Sequence, residues 1–307
     1  MSIQKGTKTA ALFQSMKKDN LYVVGRLDKY LTDLAANDAD RAFNVNAPSQ
    51  IGKCSRAIFY GRMGVETDSN FIDPRTRRIF DNGSFMHTRI QGYLSAAEIL
   101  LMEEVPVRND EYEIQGHTDG IILLDERTKE LGVLELKSIN DGNFKDLTDA
   151  KSDHKMQGLV YLFCLEERRK KLQSKYVSKL RLTLDSKNRT KYYMSLYEHL
   201  QDGNKFSRAQ KLNFKISQHD QMDKILFGCK LPITKAVIIY ENKNDQSLKE
   251  YVVDSTKKEQ QNLLRATLEQ CEYINACIQA SKAPGREGKN KSDSVCRWCN
   301  FRIACWG

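Results

Sequence analysis

Proline is scarce in this sequence, five residues in 307, and glycine is sparse at seventeen. Those shortages exclude collagen-like and low-complexity chains. No apolar run approaches the roughly 18 residues that suggest a membrane span; the longest are short stretches such as 120–124 and 236–240. The opening residues, MSIQKGTKTAALFQSMKK, lack the continuous apolar core of a secretory signal. Acidic residues are outnumbered, 40 Asp and Glu against 49 Lys and Arg, for a formal charge of +9. These features predict a soluble, basic, cytoplasmic protein (host cytoplasm if the source is viral) with no membrane partner.

Aliphatic and aromatic residues make up 40% of the chain, enough for a substantial core in one large domain or two ordinary ones. The basic excess alone divides evenly between a phosphate-binding protein and a solvated basic surface. The eight cysteines carry more information. In a chain expected to stay in the cytoplasm, a disulfide framework is disfavoured. Cys164, Cys229, Cys271 and Cys277 lie in apolar or helical contexts and read as incidental small residues. Cys296, Cys299 and Cys305 instead form C-x2-C-x5-C. Two thiolates separated by two residues can chelate one metal centre, but a zinc site or an iron–sulfur cluster normally takes four ligands, so a fourth must come from elsewhere. Spacing leaves zinc and iron–sulfur both open.

Along the chain, residues 1–46 read as one or two helices, and Pro48 precedes a short helical pattern ending at Gly61 or Gly64. Residues 67–82 read as a loop running into a helix, with Pro74 near its start. From Ser84 the apolar spacing is helical, and His87, Ile90, Gln91 and Leu94 share one face. Three β-favouring runs follow at 104–107, 113–124 and 132–139. A helix over 153–167 places Gln157 and Tyr161 on one face. A late strand pair, 235–242 and 248–254, precedes a long helix over 255–281 and a loop leading to the cysteine tail. The stretch 168–191 holds ten Lys and Arg against one Asp, beginning with Arg168, Arg169, Lys170 and Lys171. It reads either as a solvated face or as a phosphate-binding surface.

Residues two apart on a strand share a face, so Glu135 and Lys137 project together while Leu134 and Leu136 face the other way. Such a pair on an otherwise apolar strand is costly to bury unless it is paired or bound to metal. Asp119 lies on the neighbouring predicted strand and comes beside Glu135 when the two pair. Clustered carboxylates are hard ligands suited to Mg²⁺ or Mn²⁺, and an adjacent lysine can orient a water or stabilise phosphate charge. By itself D-x15-E-x-K is a weak pattern.

With its flanking motifs, however, the sequence resembles the PD-(D/E)XK nuclease superfamily. It is most similar to the RecB-like branch containing the CRISPR-associated iron–sulfur exonucleases and the iron–sulfur nuclease domain of AddB. The likeness covers about 48–161 and 232–307. It rests on Ser49, Cys54, Arg56 and Tyr60 (S-x4-C-x-R-x3-Y), His87, Gly116 to Asp119 (G-x-x-D), Glu135 and Lys137 (E-x-K), Gln157 and Tyr161 (Q-x3-Y), and the closing cysteines. Residue 118 is Thr, so the Pro-Asp of the superfamily name is absent.

The resemblance implies an α/β restriction-endonuclease-like core, a central mixed sheet flanked by helices, with a helical N-terminal part and a C-terminal iron–sulfur clasp. The whole chain is then one nuclease domain: an N-terminal helical region (1–82), a catalytic core (83–165), a basic insertion (166–231) and a closing part (232–307). His87, Asp119, Glu135 and the Leu136 carbonyl are implied as ligands of Mg²⁺ or Mn²⁺, with Asp119, Glu135 and Lys137 catalytic. Gln157 and Tyr161 are implied to support the lysine and contact DNA; Arg168, Arg169, Lys170 and Lys171 lie in the insertion, which has no counterpart in the family, and are candidate DNA contacts on their charge alone. Cys54, Cys296, Cys299 and Cys305 are implied to hold a [4Fe–4S] cluster, with Zn²⁺ the lesser alternative. Trp298 and Trp306 shield it. His117 reads as a neighbour or DNA contact, and His154, His199 and His219 read as surface residues. The expected function is a DNA exonuclease acting on single-stranded or frayed duplex ends, working with recombination or replication proteins. A non-catalytic DNA-binding or assembly protein with the same fold and cluster is the alternative.

Overall fold

The computed structural model describes residues 23–36, 44–68, 73–176 and 208–307. Residues 23–36 and 73–82 form a small helical unit, and the other described residues form a larger one. The first helices are α1 (Val24–Ala36), α2 (Ser55–Arg62) and α3 (Pro74–Ala96). In the small unit Arg78 pairs with Asp28 at 2.5 Å. The α3 helix begins at Pro74, where the loop was expected to run into a helix, and continues unbroken through the apolar face that starts at Ser84. Asp73 accepts hydrogen bonds from the Arg75 and Thr76 amides, both at 3.0 Å. Proline suits the first helical position, where its missing N–H has no intrahelical partner to lose.

The larger unit is built on five strands: β1 (Leu100–Asn109), β2 (Ile114–Asp125), β3 (Glu130–Ile139), β4 (Lys235–Asn242) and β5 (Leu248–Asp254). Their spatial order is the sequence order. The first three form an antiparallel meander, β3 and β4 pair in parallel, and β5 returns antiparallel. A parallel step needs a crossover. Here it runs through α4 (Asp141–Lys145), α5 (Ser152–Tyr176) and α6 (Arg208–Gly228). Helix α7 (Lys258–Gln279) follows β5, and short helices α8 (Ser294–Arg297) and α9 (Arg302–Trp306) carry the cysteine tail. This is the mixed sheet flanked by helices that was expected.

Two apolar layers sandwich the sheet. On one face Val105, Ile121, Val133 and Ile238 meet Leu159, Leu162, Leu165, Met222, Leu226 and Cys271. On the other, Met86 and Ile90 of α3 pack on Leu100, Ile122, Leu134, Leu136 and Val237. Covered on both sides, β3 and β4 read as nearly continuous apolar runs, whereas the edge strand β5 alternates and bears Lys249 and Glu250. Residues 157–165 show no polar stripe because most of them are buried.

Both described ends of the expected insertion belong to the core. Helix α5 continues unbroken to Tyr176, and the chain returns through α6, which buries Met222 and Leu226, to a buried Cys229. Residues 177–207, including His199 and most of the basic run, lie outside the described residues. The four basic residues at the start of that run do not share one environment. Arg169 is only 6% exposed. It grips both oxygens of Glu166 at 2.7 Å and donates to the Cys229 carbonyl at 3.3 Å, so it is a structural cation rather than the expected DNA contact. The reason is helical spacing, which puts Glu166 on the same face three residues earlier. Arg168 ties α5 to α6 through a two-point bond to Asp223, at 2.6 and 3.0 Å. Lys170 and Lys171 are exposed, and Lys170 pairs with Glu167 at 3.2 Å. Among the described residues no helix is long and apolar enough to cross a membrane.

Candidate active site and cysteine pocket

The site forms where the sheet opens. Pairing between β2 and β3 ends at Gly120 with Leu134, and beyond that point β2 pairs with β1 and, at Ile114, with Asn46. Side chains then take the place of the missing ladder bonds: the Thr118 hydroxyl donates to the Leu134 carbonyl at 2.7 Å, and the Leu136 amide donates to Asp119 Oδ2 at 2.5 Å. Asp119 is thereby fixed beside Glu135 at the mouth of the fork, as the strand arithmetic expects. The threonine standing where the superfamily name has proline supplies one of these bonds.

From α3, His87 Nδ1 lies 3.2 Å from Asp119 Oδ1. One turn on, Gln91 donates to the Asp119 carbonyl at 2.9 Å and to Glu104 Oε1 at 3.1 Å. Glu104 is a site residue that the sequence reading missed. Its neighbours Glu103 and Val105 pair with Gly120 and Thr118, which sets Glu104 opposite Asp119. It adopts a positive φ of 46°, a left-handed conformation that costs a non-glycine residue about 1–2 kcal/mol. Such strain often marks functional positions. The available signal was an acidic pair breaking the apolar run LLMEEVPV.

Ligand atoms of His87, Glu104 and Asp119 all lie within 4.8 Å of one another. Glu135 is not in that group: its Oε1 pairs with Lys137 Nζ at 2.6 Å. Its buried Oε2 has no hydrogen-bond partner among the described residues. Lys137 also donates to Gln157 Oε1 at 3.0 Å, and Gln157 donates to the Tyr161 hydroxyl at 2.8 Å. Lys137, Gln157 and Tyr161 thus form one hydrogen-bonded chain. The Leu136 side chain is buried on the opposite face of the sheet, with Leu134.

Electrostatics mark the site as short of positive charge. Burial, reinforced by the charge of Asp119, pushes the Glu135 carboxyl up to about 8, with Lys137 only partly offsetting it. Burial and then Asp119 also raise Glu104. Burial works against the His87 cation, but the hydrogen bond and charge of Asp119, with Glu104 and Glu135 behind it, raise its pKa overall. His117 is exposed and is not part of the group. His154 departs from the surface position expected of it. Its ring packs on Tyr240 with Nδ1 2.7 Å from the hydroxyl, and burial together with the charge of Lys137 lowers it to about 4.

The three-group geometry carries a prediction. Glu104→Gln should weaken Mn²⁺ binding about tenfold or more in titration calorimetry, because a neutral amide replaces a hard anionic ligand. Unchanged affinity would remove Glu104 from the metal set.

Cys54, Cys296, Cys299 and Cys305 line a single pocket with Tyr60 and Trp306. The motif residues around Cys54 tie the two chain segments together. Arg56 donates to the Pro284 carbonyl at 2.7 Å and to the Tyr60 hydroxyl at 3.0 Å, and Tyr60 donates to the Ala304 carbonyl at 3.3 Å. Arg286 donates to the Cys305 carbonyl at 2.6 Å and covers the Trp306 ring. The Phe301 amide donates to Cys299 Sγ at 3.5 Å. Gly288 must lack a side chain, since a Cβ there would lie 2.3 Å from Cys296 Sγ. Among the described residues, no three of the four sulfurs lie within 4.8 Å of one another. Burial pushes the Cys54 thiol up, with Glu287 adding to it. Trp298 is 87% exposed and shields nothing, contrary to expectation, because it follows the single turn of α8 and points to solvent; Trp306 does line the pocket. Cys164, Cys229 and Cys271 are buried core residues, as anticipated.

No family model matches the chain, and no curated protein matches it. Among solved structures, the crystal structure of SSO0001 aligns over 92% of this chain and 96% of that one, at 13% identity and a TM-score of 0.44. That likeness is too distant to carry a statement about function.

Proposed function

We propose that this protein is a Mg²⁺- or Mn²⁺-dependent deoxyribonuclease, an exonuclease on single-stranded or frayed ends, with a [4Fe–4S] cluster held by its four pocket cysteines. The observation that carries the reading is Lys137, held between Glu135 at 2.6 Å and Gln157 at 3.0 Å, beside the gathered His87, Glu104 and Asp119. The donor set fits a hard divalent cation: clustered carboxylates with raised proton affinity, one imidazole, and an orphaned buried oxygen on Glu135. His87, Glu104, Asp119 and Glu135 would hold it. When bound, such an ion supplies Lewis acidity toward a phosphoryl oxygen and acidifies bound water.

The chain's own residues do the positioning. An ammonium has three donors, and two on Lys137 are committed to Glu135 and Gln157. The third is left for an attacking water or a phosphate oxygen. The Tyr161 hydroxyl accepts from the Gln157 amide nitrogen, which keeps the amide oxygen turned to the lysine. Thr118 and the Leu136 amide hold Asp119 in place, so little reorganisation is needed when charge develops.

The convergence of Cys54, Cys296, Cys299 and Cys305 on a pocket that Gly288 keeps clear supports a resident metal group there.

The deciding experiment is digestion of end-labelled single- and double-stranded DNA with Mg²⁺, Mn²⁺ or EDTA. Shortening from the ends that requires the metal is the expected result, and its strand preference defines the substrate. Binding without cleavage in every metal would leave the non-catalytic assembly role in its place.

A further inference from the structure

The loop 52–55 connects the two candidate sites. Gly52 has φ of +84°, and a Cβ on it would lie 2.2 Å from the Met156 terminal methyl. The loop therefore lies directly on α5, against the residue preceding Gln157, which holds Lys137. Gln270 of α7 clamps it, accepting from the Gly52 amide at 2.9 Å and donating to the Lys53 carbonyl at 2.8 Å and the Ser55 hydroxyl at 3.0 Å. At its far end the Ser55 amide donates to Glu287, at 2.7 Å, in the wall of the cysteine pocket. Backbone position is thus shared between Cys54 on one side and Lys53 on the other.

The Lys53 side chain is exposed, its ammonium bonded to Gln50 at 3.2 Å. It lies close enough to Asp153 and Lys137 for their charges to act on it. The charges of Lys137, Lys151 and Lys53 also act on His154 at the start of α5, with Asp153 the nearby counter-charge. Asp153 offsets part of this positive charge, and a phosphate would offset the rest.

We propose that Lys53 holds the nucleic-acid phosphate next to the one at the candidate metal site, and that the loop carrying Cys54 sets its position. The inference rests on the nuclease reading and adds a substrate contact to it. A fluorescein-labelled single-stranded oligonucleotide, titrated in EDTA at several KCl concentrations and read by anisotropy, tests it without turnover.

Lys53→Gln should weaken binding about 3–10-fold, and the slope of log affinity against log salt should fall by about 0.7, the release expected for one single-strand phosphate. Lys53→Arg should keep the wild-type slope. Cys54→Ser should lower affinity and slope in the same way, and the double variant should be no weaker than the worse single. Should Cys54→Ser fail to fold, Gly52→Ala displaces the loop instead and should weaken binding likewise. Wild-type affinity and slope in Lys53→Gln would overturn the contact, and additive losses would overturn its link to Cys54. Those results are distinct from failure of the nuclease reading, which appears as a wild type that binds the oligonucleotide and never cuts it. A wild type that does not bind overturns both.

Discussion

Lys137→Ala is expected to lower metal-dependent DNA cleavage by about 10²–10³-fold, the usual cost of removing one preorganised donor from a reacting centre. The side chain is held at both of its committed donors, so its role depends on position as much as on charge. Metal affinity should change far less, since the lysine is not a ligand, and a calorimetric Mn²⁺ titration separates the two. Retention of more than about a tenth of the wild-type rate would remove Lys137 from the mechanism. Glu135→Gln should lose cleavage as severely and weaken the metal as well.

The two variants differ again without metal. Burial raises the folded-state pKa of Glu135 to about 8, above its ordinary value of 4.5. Between those values the folded protein takes up a proton that the unfolded chain does not, so this group's contribution to stability falls as pH rises from about 4.5 to 8. A glutamine at 135 escapes that penalty. In EDTA, Glu135→Gln should therefore melt higher than wild type at pH 8 and lose the advantage near pH 5. An advantage that grew toward low pH would contradict the burial argument. Conflict between stability and function is expected where carboxylates gather for a cation.

The largest effect on stability is expected at the cysteine pocket. Cys54 and Cys296 are separated by about 240 residues of chain, and a ligand group bridging them restricts the unfolded ensemble over that whole length. The loop-entropy relation for a covalent link of this size gives about 5 kcal/mol, which corresponds to about 10 °C or more in melting temperature for a protein of this size. Protein purified without oxygen should be brown and contain iron. Cys54→Ser should be pale and melt lower by roughly that amount. Cys277→Ser, at a half-buried cysteine outside the pocket, serves as the control and should be close to neutral. A colourless wild type containing zinc would exclude the iron–sulfur assignment, and an unshifted melt in Cys54→Ser would exclude the staple.

Local patterns were legible wherever one physical effect dominated. The strands Lys235–Asn242 and Leu248–Asp254 were readable to the residue, since apolar runs between polar turns leave few alternatives. The E-x-K face and the Gln157–Tyr161 pair followed from periodicity alone. The acidic pair in LLMEEVPV was visible, but that Glu104 rather than Glu103 reaches the site depends on the β1–β2 register and on an unusual φ that no local pattern encodes. His154 and Arg169 were misjudged for a related reason. A polar residue in a polar stretch reads as solvated until the partner that covers it is known, here Tyr240 for the histidine and Glu166 with the Cys229 carbonyl for the arginine.

The 2.0 and 3.6 residue periods of the sequence were enough to read its succession of helices and strands and to put Glu135 with Lys137, and Gln157 with Tyr161, on shared faces; the remaining expected site residues came from the family resemblance. Those periods are local, set by backbone sterics and by which face of an element must leave water. Tertiary structure alone decided that β2 and β3 part at Asp119, that Glu104 joins His87 there, and that the short loop carrying Cys54 lies on α5 beside the residue preceding Gln157. Each of these depends on elements far apart in sequence meeting in one register, and only the packing of the whole core determines that register.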